Sequence, residues 1–213
     1  MAEARDGDEV RNRFFSRMWV RMKDPEQTVE YRRRNLAGLS GRVIELGAGD
    51  GRNFSIYPAE VTEVLAVEPE PYLRERAEAA AREAAVPVKL VAGVADRLPA
   101  EDASFDAGVA SLVLCTVPDP SRALSELRRV IKPGGELRFF EHVRSNDPRR
   151  ARFENLVDHV WPHIAGGCHP NRDTRSAIEA AGFELAECDR FGFSPGFPMP
   201  ELAHILGVAR RSA

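Results

Sequence analysis

Between residues 45 and 51 the chain reads Glu45-Leu46-Gly47-Ala48-Gly49-Asp50-Gly51, and a carboxylate, Glu68, follows about 20 residues later. Glycines accept φ > 0 and let the backbone pass close beneath a ligand. An apolar run feeding such a turn, with a helical turn behind it, is a general nucleotide-binding arrangement, and an acid at that separation reaches ribose hydroxyls. The spacing discriminates among nucleotides. A dinucleotide fingerprint, G-x-G-x-x-G, counted from Gly47 and Gly49 requires glycine at position 52, where Arg52 stands. No G-K-[ST] follows to cradle phosphates. A ligand with a ribose and no phosphate fits both facts; the alternative is a tight turn beside a solvated strand-end acid.

Other reactive side chains lie further on. His142 follows an apolar run and is the best-placed proton acceptor, unless it is held structurally by a neighbour such as Glu141. His159 and His163 stand at i, i+4, which on one helix would align them, but Pro162 between them is expected to end or kink that helix. No H-E-x-x-H pattern accompanies them, and no metal-ligand constellation is legible, so no metal is expected. Trp161, His163 and Cys168 are expected in a pocket wall, with His169 beside them, and Cys115 as a packing residue close to the ligand.

The elements that must position these groups alternate. Arg42–Leu46, Val61–Val67, Val88–Val91, Phe105–Leu114 and Glu136–Phe140 read as strands. A helical turn over Asn53–Tyr57, an alanine-rich helix over Pro71–Ala85 and a helix over Pro120–Ile131 separate them, the last stopped by Lys132-Pro133-Gly134-Gly135. Strand–helix alternation with short turns predicts a parallel sheet covered on both faces. A helix over Arg172–Ala181 precedes Phe183–Cys188 and Ala203–Ala209, whose connection is too short for a parallel crossover, so these two are expected to pair antiparallel. Residues 1–9 are polar and expected to fray. From Phe14, the apolar residues Phe14, Phe15, Met18, Trp19 and Met22 recur at helical spacing among arginines, and a second helical stretch covers Pro25–Leu39.

Composition excludes several classes. The chain has 213 residues with 43% apolar and 30% charged content, enough for one α/β core and not that of a disordered protein. A net charge of −3 does not point to a nucleic-acid partner. Three scattered cysteines imply no disulfide framework and a reducing compartment. No apolar run reaches the ~18 residues of a membrane span, and the polar start does not read as a signal peptide, so a cytoplasmic location is expected.

Val43–Asn53, Glu68, the Gly93–Pro99 loop, Phe105-Asp106 and Lys132–Gly135 resemble the successive motifs of class I S-adenosylmethionine methyltransferases. The resemblance implies a Rossmann-like doubly wound seven-stranded α/β sheet, mostly parallel with a C-terminal antiparallel strand, over residues 41–213, with residues 1–40 as an N-terminal helical segment. It implies S-adenosyl-L-methionine as cofactor. Gly47, Ala48 and Gly49 would pass beneath its methionine part, with Glu45 and Asn53 also among the cofactor-binding residues; Glu68 would hold the ribose, and Pro69, Ala95 and Asp96 would edge the adenine. Ser111 and Leu112 would lie beneath the sulfonium. Related enzymes often carry an acid where Val94 stands, so the adenine contacts depart from the pattern. Ser111–Val117, Phe140–Val143, Asp158–Trp161 and Gly167-Cys168 further resemble the small thiol S-methyltransferases of the methyltransferase-like group, although phospholipid and quinone methyltransferases share several of these motifs. The implied acceptor is a small thiol, with N-, O- or C-methylation of a lipid, quinone or natural product, or cofactor binding without catalysis, as alternatives. A thiol, with a pKa near 8.5, needs little help to become a nucleophile, which His142 would supply as base or as a cation near a thiolate. For the N-terminal helix, a lid over the site with Trp19 in the acceptor pocket is the favoured expectation. Peripheral membrane contact and plain packing on the sheet stay open.

Overall fold

All four residues Val43–Leu46 are buried, alternating between two apolar clusters: Val43 joins one, Ile44 and Leu46 the other. A strand with two buried faces needs helices on both sides. In the computed structural model, which describes residues 12–194 and 201–212, that is what surrounds it. The strands β1 (Gly41–Leu46), β2 (Val61–Val67), β3 (Val88–Val91), β4 (Phe105–Ser111), β5 (Ile131–Val143), β6 (Phe183–Phe193) and β7 (Leu202–Arg211) form one sheet. Their order is β3-β2-β1-β4-β5-β7-β6. The pairs β1–β2, β1–β4, β2–β3 and β4–β5 are parallel, whereas β7 runs antiparallel to both β5 and β6. The expected doubly wound sheet with its antiparallel C-terminal strand is therefore present.

Helices α1 (Arg13–Arg21) and α2 (Glu26–Leu36) precede the sheet, and α3 (Pro71–Glu83) and α4 (Pro120–Val130) connect its parallel strands. Each connecting helix starts as its sequence dictates. Glu70 accepts a hydrogen bond from Leu73 N and Asp119 from Ser121 N and Arg122 N, each followed by proline in the first turn. On one face Leu124 and Leu127 of α4 and Ile178 of α7 (Thr174–Ala180) pack with Ile44 and Leu46. On the other, Ala77 of α3 and Leu36 of α2 pack with Val43, Phe54 and Val64. Polar residues 1–9 lie outside the described residues.

Several boundaries differ from expectation, β6 for instance running on to Phe193, and those nearest the site do so for local reasons. β4 stops at Ser111, not Leu114, because Leu112 adopts φ 58°, a left-handed conformation that turns the chain across the strand ends. β5 begins at Ile131: the Lys132–Gly135 breakers form an irregularity within the strand, with Gly134 at φ 78°, rather than a loop before it. It also runs on to Val143, where the pairing with Ala203 of β7 sustains it. Residues 148–164, which carry little apolar periodicity, form α5 (Pro148–Val157) and the short α6 (Trp161–Ile164). Pro162 lies in the first turn of α6 and so starts a helix rather than ending one.

Candidate active site

The glycine turn leaves β1 with Gly47, Gly49 and Gly51 at φ 64°, 59° and 85°. Glycine is required at position 47 on a second ground: a Cβ there would overlap the side chain of Val113. This contact joins the turn after β1 to the turn after β4, side by side at the carboxyl ends of the sheet, where ligands bind in open α/β folds. Glu68, at the end of β2, spans to the glycine turn. Its Oε2 accepts a hydrogen bond from Gly49 N at 2.8 Å and its Oε1 one from Glu70 N at 2.9 Å. A carboxylate accepts about four hydrogen bonds, so each oxygen keeps a lone pair for a ligand hydroxyl. Burial raises the Glu68 pKa, opposed by these two backbone donors. Pro69 is half-buried beside it, Ala95 is partly buried against the core, and Asp96 is exposed in a short turn closed by a Val94–Arg97 bridge.

Glu45 and Asn53, also expected at the cofactor, are both buried next to this turn. The buried Glu45 carboxylate accepts from Asn53 Nδ2 and Tyr57 Oη, both at 2.8 Å. Burial raises its pKa to about 7 despite those two bonds. Asn53 Oδ1 and Ser111 Oγ in turn accept from one guanidinium nitrogen of Arg32, at 3.2 and 3.1 Å, while Arg32 Nε pairs with Asp24 at 2.8 Å. Arg32 belongs to the basic run Arg32-Arg33-Arg34, yet only 5% of its side chain is exposed. The signal missing from the sequence is the partner set, spread over residues 24, 53 and 111.

Arg52, the residue in the place of a third glycine, is a clamp. It pairs with Asp24 and with Asp50, donates to the carbonyls of Trp19 and Met22, and lies 4.4 Å over the Trp19 ring. Trp19 Nε1 donates to Asp50 Oδ1 at 3.1 Å. The N-terminal helix is thereby fastened to the glycine turn itself. Trp19 stacks on Phe15, which abuts Gly166 so closely that a Cβ there would overlap the ring. α1 therefore bridges the glycine turn and the 165–168 loop.

At the end of β5, Glu141 does not hold His142. Its buried carboxylate accepts three backbone N–H groups, from Val113, Leu114 and Cys115, at 2.9–3.1 Å, and so shapes the turn after β4. His142, partly buried, directs Nδ1 to Cys168 Sγ at 3.3 Å and Cys115 Sγ at 3.6 Å. His169 N donates to Cys115 O, and Arg172 donates to Leu114 O, tying the 168–172 segment to the β4 turn. Cys168 has its pKa lowered to about 5, chiefly by a hydrogen bond from the Cys115 thiol and then by His142, against the opposing effect of burial. Cys115 is correspondingly raised. Burial pulls the His142 pKa down, but its contact and charge interaction with Cys168 outweigh that and the net shift is upward. Trp161 borders this cluster, its buried indole N–H acting on the Cys168 sulfur, whereas His163 is exposed and His159 bonds the Asn155 carbonyl.

His204, on β7, was not singled out by sequence. Its ring lies 4.5 Å from that of His142, stacks on Phe140 and Phe191 and meets Phe193 edge-on, with Tyr31 of α2 closing the group. Burial, reinforced by the His142 charge, drops its pKa to about 3, only partly offset by the bond to the Leu202 carbonyl. An unfolded histidine titrates near 6.5, so this neutral imidazole supports folding above that pH, and the support is lost as pH falls from about 6.5 towards 3. Replacing His204 with Phe is expected to flatten the loss of thermal stability between pH 6.5 and 4, a difference on the order of a few kcal/mol. Parallel slopes for both proteins would refute the assignment.

Sheet order, positive-φ glycine turn and strand-end acid define a class I methyltransferase, and these residues fit S-adenosylmethionine: a close backbone approach, ribose acceptors and no phosphate cradle. A methyltransferase-domain family matches residues 44–139. Thiol S-methyltransferase TMT1B of Rattus norvegicus is 33% identical over 91% of this chain and 81% of its own length, and that of Homo sapiens is 35% identical over 83% and 74%. The chain belongs to this family of S-adenosylmethionine-dependent methyltransferases and is an enzyme with that cofactor. A Bacillus halodurans C-125 structure described as a candidate methyltransferase shares the fold at TM-score 0.72 and 19% identity, covering 87% of this chain and 99% of that one.

Proposed function

We propose that the enzyme S-methylates a small-molecule thiol in the cytoplasm, the compartment that keeps thiols reduced. The observation that carries this reading is the Cys115–Cys168–His142 cluster at the carboxyl end of β5, where a hydrogen bond from Cys115 and then His142 lower a thiol pKa to about 5. The TMT1B relatives, named for thiol methylation, support it. S-Adenosylmethionine supplies a methyl group on a sulfonium already primed to leave, so the protein's work is alignment, exclusion of water and ionisation of the acceptor. In this reading Gly47, Ala48 and Gly49 pass beneath the methionine part, Glu68 accepts from the ribose hydroxyls, and Pro69, Ala95 and Asp96 edge the adenine. Ser111 and Leu112 lie under the methyl donor, with Cys115, Trp161 and Cys168 at the acceptor side next to His142. Its test is product analysis across thiols, phenols, amines and quinones: thioether formation from thiols is expected, and turnover confined to amines or hydroxyls would overturn it. A second reading, N-methylation of a lipid, has its own support. A phosphatidylethanolamine N-methyltransferase of Cereibacter sphaeroides is 34% identical over 59% of this chain and 68% of its own length, and Phe14, Met22, Phe153, Leu156, Val160 and Ile164 are exposed.

α1 acts as the lid of this site, latched by Arg52. Replacing Arg52 with Ala removes both ion pairs and both carbonyl contacts. It is expected to speed amide hydrogen exchange across residues 13–22 and to weaken cofactor binding by about 10-fold, the loss of one charge-assisted interaction. Unchanged exchange in that helix would refute the latch.

A further inference from the structure

We propose that Cys115, His142 and Cys168 form a zinc site whose fourth position takes the acceptor sulfur. Three remote parts of the chain converge here: the turn after β4, the end of β5 and the 165–168 loop. Their Sγ, Nδ1 and Sγ atoms all lie within 4.8 Å of one another. On a tetrahedral zinc, with Zn–S ≈ 2.3 Å and Zn–N ≈ 2.0–2.1 Å, a sulfur and a nitrogen stand about 3.6 Å apart and two sulfurs about 3.8 Å. The observed sulfur–nitrogen separations are 3.6 Å for Cys115 and 3.3 Å for Cys168. Two thiolates and an imidazole are a soft, borderline donor set that selects zinc over magnesium or calcium, and a three-ligand set leaves one position open.

The backbone holds the donors in place before any ion binds. Glu141 grips the N–H groups of residues 113–115, and His169 N bonds Cys115 O, so the two cysteines are tied across the cluster. Packing alone does not require this convergence: Cys188, the third free cysteine, lies on β6 outside the cluster. Charge also balances. Two protein thiolates neutralise Zn²⁺, and a third thiolate from the acceptor meets the Arg172 guanidinium, fastened on Leu114 O. On binding, the acceptor thiol loses its proton to solvent, its sulfur takes the fourth position, and a zinc-bound water is released. Only this fourth ligand rests on the thiol reading; the three-residue site stands without it.

The test uses the whole chain, reduced with a phosphine so that no thiol competes. Zinc content, competition with a chromophoric chelator, and the absorption of the cobalt(II)-substituted protein are measured. Stoichiometric zinc is expected, with thiolate-to-cobalt charge-transfer bands. Cys115→Ser and Cys168→Ser should each weaken zinc binding by at least about 100-fold, beyond the loss expected for an outlying partner, whereas Cys188→Ser should not. Circular dichroism and S-adenosylmethionine calorimetry establish that each variant is folded. Adding 2-mercaptoethanol should shift the cobalt bands. A reduced wild-type chain that binds no zinc, or zinc binding indifferent to Cys168→Ser, overturns the site. Cobalt bands unmoved by a thiol that the enzyme methylates overturn the fourth ligand. Zinc binding without turnover of any thiol removes the thiol reading and leaves the metal site intact.

Discussion

Replacing Glu68 with alanine is expected to weaken S-adenosylmethionine binding by at least about 100-fold. Two ribose hydroxyls donating to an ionised, buried carboxylate are each worth about 1.5–3 kcal/mol, and 1.4 kcal/mol is tenfold in affinity. The side chain also accepts from Gly49 N and Glu70 N. Its loss leaves two donors to find other partners, at about 1–3 kcal/mol each where water cannot reach. Thermal stability should therefore fall along with affinity. Glu68→Gln separates the two effects: it keeps one oxygen acceptor but offers an amide donor to the other backbone N–H, and should bind between wild type and alanine. Because burial raises the Glu68 pKa, cofactor affinity should also decline on acidification sooner than for an ordinary carboxylate, as protonation removes acceptor capacity. Calorimetry across pH with all three proteins is the check. Equal affinities for wild type and Glu68→Ala would remove Glu68 from the site.

The second large effect concerns His142. A simple alkyl thiol with pKa near 8.5 is about 3% ionised at pH 7, so complete ionisation on the enzyme is worth about 30-fold. His142→Ala is expected to lower kcat/KM for such a thiol by about that factor at pH 7, with cofactor affinity changed less than about twofold. The sign with pH is definite: above about pH 9.5 the thiol ionises unaided and the gap should close. A defect that persists unchanged at high pH would mean that His142 shapes the pocket without ionising the acceptor. Cys168→Ser should reproduce the pH-dependent profile, because Cys168 Sγ is the nearer of the two sulfurs to His142 Nδ1, at 3.3 Å.

The local features of this enzyme were legible in its sequence because short-range rules produce them. The short buried run of β1, proline-and-acid helix starts at Glu70-Pro71 and Asp119-Pro120, and the positive-φ glycines of the turn all follow from residues a few positions apart. Glu68 is legible because strand length sets its distance from that turn. α5 is not legible as a helix, although Asp147-Pro148 marks its start, because its apolar residues lack a helical stripe. What only the tertiary structure decided was partnership. Arg32 reads as one arginine of a basic run, and becomes a buried hub only when Asp24, Asn53 and Ser111 converge on it. The sequence shows no metal-ligand spacing, yet sheet order places the ends of β4 and β5 side by side, and the 165–168 loop folds over them. Cys115, His142 and Cys168 thus meet without any motif linking them. Residue spacing encodes which strand ends in which side chain; the crossing of strands and loops determines which ends share one desolvated point.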